Sequence, residues 1–170
     1  MKYFGYILLS AALLSCSQEE EKPVEVHWTK KESSEFSKAI AAQEEIDIRL
    51  YLEMRKDWQM IKTGSGLQYD IYEKGKGEVC KPGDIAEIEY RVTLLDGTVC
   101  YHTPSDEYVE VMVDKSDIET GLQEGLKKMR VGDRARLIIP SHLGHGLVGD
   151  LDKIPPLNTL VLDVHLLGIK

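Results

Sequence analysis

Residues 121–140 read GLQEGLKKMRVGDRARLIIP, and after a loop holding Ile154-Pro155-Pro156 the chain resumes over residues 158–167 as NTLVLDVHLL. Leu122, Leu126 and Met129 stand at i, i+4 and i+7, so a short helix here has one apolar face. Gly132 turns the chain into a strand over residues 134–139. A last strand over 159–168 puts Leu160, Leu162, Val164 and Leu166 on one side. A helix, a turn, a strand, a long loop and an apolar closing strand thus follow in order.

Working outward, the preceding residues supply the rest of a sheet. Residues 67–72 read as a strand, and Gly75, Gly77 and Pro82-Gly83-Asp84 punctuate the path to the next. Over residues 85–94, Ile88, Tyr90 and Val92 alternate with Glu87, Glu89 and Arg91, giving one dry face and one wet face. Asp96-Gly97 is a hairpin signal, because glycine accepts the positive φ such a turn requires. Residues 98–101 and 108–113 continue the sheet. An antiparallel sheet with one helix across its apolar face is an α+β architecture, and no internal repeat interrupts it.

Upstream, residues 34–62 carry a helical pattern. Phe36, Ile40, Ile46, Leu50, Met54 and Trp58 fall near a 3.6-residue period, and Ser33 or Ser34 can cap the start. The stripe needs a cover, and two remain open: the domain that follows, or the same helix of a second copy in a homodimer. Thr63-Gly64-Ser65-Gly66 then breaks the helix.

Residues 17–33 are polar and acidic, with Glu19-Glu20-Glu21 and Pro23, and read as a flexible tether. Residues 1–16 form a different unit. Lys2 supplies a positive charge, and the apolar or small run that follows is too short for a bilayer, which needs roughly 20 residues. It fits the apolar part of a secretory signal. Leu13-Leu14-Ser15-Cys16 resembles a bacterial lipobox, which implies lipidation of Cys16 and a lipid-anchored place in the cell envelope, on the periplasmic face of the outer membrane or at the cell surface. Several acyl chains on one residue hold stably, where one is marginal.

Loss of residues 1–16 removes Lys2 and no acid from a chain of 21 Lys+Arg and 29 Asp+Glu, leaving a net charge of −9. A nucleic-acid partner is not expected, since phosphate binding needs a basic face. Cys80 and Cys100 are the remaining cysteines; two do not make a disulfide framework, and their pairing stays open.

Over residues 66–170 the chain resembles an FKBP-type peptidyl-prolyl cis-trans isomerase. The resemblance rests on Gly66-Leu67-Gln68-Tyr69, Gly121-Leu122-Gln123-Glu124-Gly125, Val131-Gly132-Asp133-Arg134-Ala135, Ile154-Pro155-Pro156, Thr159-Leu160-Val161 and Asp163-Val164, all in family order. With the upstream helix, it is similar to exported bacterial FKBP lipoproteins, including the gliding-motility type of Bacteroidetes. The resemblance implies a five-stranded antiparallel sheet wrapped around one short helix. It also implies proline-containing polypeptide clients and a reaction that needs no metal or cofactor.

The resemblance assigns a substrate pocket position by position. Tyr90, Ile118 and Ile154 keep family walls, and Glu119 stands where an Ile offers its backbone N–H to the peptide. The floor Trp is Leu122. Aromatic positions are occupied by Cys100, Val109 and Leu162, an acid by Tyr101, and the loop Tyr by His145. If each aromatic-to-aliphatic change removes about 40 Å² of contact, it costs ~1 kcal/mol at 25 cal/mol/Å². Four such losses weaken binding by roughly a few hundredfold if additive. The expectation is an isomerase of reduced activity; the alternative is a non-catalytic FKBP-like chaperone or binding component of an envelope machine.

His145 can donate a hydrogen bond in place of the Tyr hydroxyl. A metal reading with His142, His102 and Cys100 has weak spacing, two His three apart on a Gly-containing loop, and no metal is expected.

Overall fold

The computed structural model describes residues 29–170, so the expected signal, Cys16 and most of the expected tether lie outside the described residues. Helix α1 (Lys30–Glu53) comes first, then β1 (Ile61–Lys62), β2 (Gln68–Glu73), β3 (Ile85–Leu94), β4 (Val99–His102) and β5 (Val109–Met112). Helix α2 (Thr120–Leu126), β6 (Arg134–Ile139), a 3-10 turn (Ser141–Leu143) and β7 (Leu160–Ile169) complete it. All strand pairs are antiparallel, in the order β1-β2-β6-β7-β3-β4, with β5 also on β3.

The five-stranded expectation is met with one strand divided. On the free side of β3, Ile85 to Ile88 pair with β5, while Arg91 to Thr93 pair with β4. Between the two pieces, Tyr90 N–H donates to the Thr103 hydroxyl at 3.0 Å, and Thr103 N–H donates to the Tyr90 carbonyl at 2.9 Å. The two-residue β1 adds an extra edge beyond β2.

One sheet face is covered by α2. Leu122, Leu126 and Met129 are buried with Leu137, Ile139, Leu160, Leu162, Val164 and Leu166. Each such side chain withdrawn from water is worth about 1.5–3 kcal/mol. The helix can lie this close only because Gly121 and Gly125 face the sheet one turn apart. A Cβ at Gly121 would stand 2.4 Å from Ile139 Cγ2, and one at Gly125 would stand 2.6 Å from Leu137 Cδ1.

The other face is covered by α1, because Ile138 and Val161 point opposite to their neighbours along each strand. They bury against Ile48, with Tyr51, Leu52, Trp58, Met60 and Leu95 around them. The helix differs from its sequence reading in extent and in face. It starts at Lys30, not near Ser34, because Thr29 and Glu32 form a reciprocal capping box: Glu32 N–H donates to Thr29 Oγ1 at 3.2 Å, and Thr29 N–H to Glu32 Oε2 at 2.8 Å. Ser33 and Ser34 are helical, so the tether ends sooner than expected. The helix also ends at Glu53, short of Trp58.

Of the expected stripe, Ile40 and Trp58 are half-buried. Phe36, Ile46, Leu50 and Met54 face solvent, with Leu50 52 % and Met54 84 % exposed. The buried face instead runs through Ile40, Glu44, Ile48 and Tyr51. A sandwich of α2, sheet and α1 results, with the Ile48 face of α1 packed on its own sheet.

Candidate functional site

The residues assigned to the pocket come from β3, β4, β5, β7, the N-terminus of α2 and the loop 141–159. Cys100, Leu122, Ile154 and Leu162 are buried in the inner core, and Tyr90, Tyr101 and Ile118 pack on it half-buried. They belong to one apolar cluster, with the two tyrosines and Ile118 on its partly exposed side. Leu122 and Leu162 are 3 % and 0 % exposed, so the floor is closed rather than hollow. Val109 stands apart at the rim, 38 % exposed, while Val111 on the same strand face is buried.

Tyr101 carries the principal polar contact. Its hydroxyl donates to Asp150 of the loop, and Asp152 Oδ2 lies at 3.4 Å. Hydrogen bonding to Asp150, then burial and the nearby negative charge, push the phenol well above the ordinary tyrosine range. Lys153 Nζ sits 4.9 Å from the ring centre, a cation over an aromatic face.

Asp150 is held by its own loop as well. Its Oδ1 accepts from the Asp152 N–H at 2.9 Å and from the Ile154 N–H at 2.8 Å. Burial opposes its charge, but the Tyr101 hydroxyl, these two amides and the nearby His145 outweigh that, and its carboxyl is pulled down to about 2. This carboxylate fixes the turn that delivers Ile154 to the wall. No sequence pattern singles it out, because its partner Tyr101 is 49 residues away in the chain.

A second bridge crosses the site. His145 Nε2 and Glu119 Oε1 are 3.1 Å apart, joining the loop to the residue that caps α2. Burial, then the Glu119 charge, raise the Tyr90 phenol, so its hydroxyl is a neutral donor at ordinary pH. The site therefore offers an apolar wall with hydroxyl, imidazole and carboxylate groups at its margin, and no activated nucleophile.

The other two histidines of the metal reading, His142 and His102, have different contacts. His142 Nε2 contacts the Ser65 carbonyl at 2.9 Å, and His102 Nδ1 contacts that of Thr103 at 3.2 Å. Among the described residues, no three His, Cys, Asp or Glu side chains gather in a way that could hold a metal ion. Cys80 and Cys100 are free, buried thiols rather than a pair. Cys100 Sγ points to the Lys153 carbonyl at 3.6 Å, and burial, then the Asp150 and Asp96 charges, raise its thiol.

Comparison with known proteins agrees with the fold. The profile of the family described as FKBP-type peptidyl-prolyl cis-trans isomerase matches residues 76–167. The chain is 36% identical over 132 residues to the FKBP-type peptidyl-prolyl cis-trans isomerase FkpA of Escherichia coli (strain K12), covering 76% of this chain and 48% of the relative. To the probable FkpA of Neisseria meningitidis serogroup B it is 38% identical over 107 residues, covering 63% of this chain and 39% of that protein. The crystal structure of FkpA from Escherichia coli superimposes with a TM-score of 0.67 at 31% identity, over 82% of this chain and 64% of that one. The chain thus spans about half or less of the length of these two curated relatives.

Proposed function

The chain belongs to the FKBP-type peptidyl-prolyl cis-trans isomerase family, and from that membership we propose that it rotates X-Pro bonds in polypeptide clients of the cell envelope, with an activity lowered by its aromatic-poor pocket. One observation supports the reading: Leu122, Ile154 and Leu162 belong to one buried apolar core, and Tyr90 and Ile118 pack half-buried against it.

The chemistry follows from amide resonance. Resonance holds the X-Pro bond planar, and the barrier to rotation is about 18–20 kcal/mol. A half-twisted amide has lost that resonance and is less polar than the planar one. An apolar wall therefore disfavours the planar ground state relative to the twisted form. In this reading the neutral Tyr90 hydroxyl and the backbone N–H at Glu119 hold substrate carbonyls while the prolyl ring turns against the partly exposed apolar surface beside them. No bond is made or broken, so no nucleophile is called for.

The buried floor favours the second reading, a non-catalytic FKBP-like module that binds clients as a chaperone or as part of an envelope machine. With Leu122 only 3 % and Leu162 0 % exposed, little floor surface is open to a prolyl ring. A protease-coupled assay on Xaa-Pro peptides with varied preceding residue separates the two. Acceleration of any peptide supports the isomerase; a folded chain inert on all of them supports the binding module.

The anchor proposed is lipid on Cys16, at the end of Leu13-Leu14-Ser15-Cys16. It would tether the domain to a membrane through the acidic segment. Acyl labelling that persists in Cys16→Ala would remove this part of the proposal.

A further inference from the structure

The loop that carries His145, Asp150 and Ile154 leaves the sheet after β6 and re-enters it at β7, where Ile139 and Leu160 are still paired. Beyond that pair the strand ladder ends, and the stems at Ser141 and Thr159 need another tie. One carboxylate on α1 supplies it. Glu44 Oε1 accepts from the Ser141 N–H at 2.6 Å and from the Thr159 hydroxyl at 2.6 Å. Glu44 Oε2 accepts from the Ser141 hydroxyl at 3.2 Å. The three residues are 9 %, 4 % and 4 % exposed, so the cluster is nearly dry.

We propose that Glu44 is a positioning residue for the pocket: by pinching both stems of the loop it sets where His145, Asp150 and Ile154 stand, and so makes α1 part of the site. The proposal rests on the isomerase reading for its kinetic consequence. A carboxylate on the buried face of a helix is costly unless its oxygens find donors, and here they find three. Ser141 opens a 3-10 turn, so its N–H is one of the donors a helix start leaves without an internal partner. Glu44 fills that vacancy from another element.

The tie reaches the pocket in two short steps. The Ser141 carbonyl accepts from the Gly144 N–H at 3.0 Å and from the Gly146 N–H at 2.8 Å, the amides on either side of His145. The Leu157 N–H in turn donates to the Gly146 carbonyl at 2.8 Å, and the Asp150 N–H to the Ile154 carbonyl at 3.1 Å. Displacing Ser141 therefore shifts His145 against Glu119 directly, and slackens the turn around Asp150 next. The sheet face between α1 and the pocket does not have to move.

Three variants and two readouts test this: Glu44→Ala, Glu44→Gln and Thr159→Val, followed by amide hydrogen exchange and by kcat and KM on an X-Pro peptide. Glu44→Ala is expected to speed exchange across residues 141–159 about tenfold or more, with β3, β6 and β7 unchanged. KM should rise about tenfold with kcat within about twofold, the pattern of a lost binding contribution. Thr159→Val, which removes one of the three donors and keeps the shape, should give roughly a third of that effect on a logarithmic scale. Glu44→Gln should stay near wild type, because its carbonyl can take both Oε1 contacts while its NH₂ donates to the Ser141 hydroxyl.

Unchanged loop exchange in Glu44→Ala, exchange that rises equally across the sheet, a loss confined to kcat, or Gln as damaging as Ala would each overturn the proposal. A wild-type chain that accelerates no peptide ends the isomerase reading separately, and the exchange pattern alone then decides the role of Glu44.

Discussion

The Tyr101 hydroxyl on β4 donates to the Asp150 carboxylate of the loop between β6 and β7. The resemblance implied an acid at position 101 and a tyrosine in the loop. The structure has a tyrosine at position 101 and its carboxylate partner in the loop, and this contact ties β4 to that loop. Removing either residue alone leaves the other without this partner.

The Tyr101–Asp150 contact predicts its own pH window. Asp150 is held at about 2, below the ordinary carboxylate value of 3.8, so its contribution is in place above about pH 4 and is lost as pH falls towards 2. Tyr101 is shifted upward from 10.0, so its contribution is present below that value and is lost as pH rises beyond it. The Ile154 amide, which donates to Asp150, should therefore titrate in an NMR pH series with a midpoint of about 2. In Asp150→Asn that step should vanish, and the Tyr101 phenolate should form at lower pH than in the wild type. A Ile154 midpoint at the ordinary carboxylate value would contradict this account.

Helix α1 offers a test of which face is buried. Ile48→Ala removes the side chain at the centre of the outer cluster and should cost about 2–4 kcal/mol, the lower range for an Ile truncated in a core. Leu50→Ala, two residues on and 52 % exposed, should change stability by less than about 0.5 kcal/mol. Urea denaturation of the two variants decides the matter. Equal losses would mean that the exposed stripe is covered in solution.

The contrast between Ile48 and Leu50 also shows where sequence reading stopped. The sheet and α2 were legible because Ile88, Tyr90 and Val92 alternate strictly and Leu122, Leu126 and Met129 repeat at helical spacing. The face of α1 was not. Counting apolar residues favoured Phe36, Ile46, Leu50 and Met54, whereas the buried strip is completed by a carboxylate, Glu44, whose burial is compensated by hydrogen bonds rather than by hydrophobicity. The pocket shows the same division. Its apolar walls could be assigned by position, but Asp150 and Glu44 act through contacts 49 and 97 residues away in the chain, which no local period encodes.

Close approach of α2 to the sheet makes Gly121 and Gly125 sensitive to a single methyl group. Gly121→Ala places a Cβ 2.4 Å from Ile139 Cγ2, and Gly125→Ala places one 2.6 Å from Leu137 Cδ1. Each should destabilise the domain by about 1–3 kcal/mol, the usual cost of overpacking, despite the better helix propensity of alanine. Gly64→Ala, where nothing lies within 4 Å, is the control and should be nearly silent. Thermal or urea midpoints give the comparison.

Restoring aromatics should work at the rim and fail at the floor. Val109, which the resemblance assigns to the pocket, is 38 % exposed, so Val109→Phe adds a ring at a position already open to solvent. About 40 Å² of new contact with a bound peptide is worth ~1 kcal/mol, a gain of about fivefold in kcat/KM. Leu122 is 3 % exposed within the core that holds Cys100, Ile154 and Leu162. Leu122→Trp must push these aside, at a cost of about 1–3 kcal/mol in stability, before any indole surface reaches a substrate. The rim variant should therefore gain activity at unchanged stability, while the floor variant loses stability first. Peptide assays paired with urea midpoints would separate the two. A Leu122→Trp chain that is both as stable as wild type and more active would mean that the floor is more open than its burial indicates.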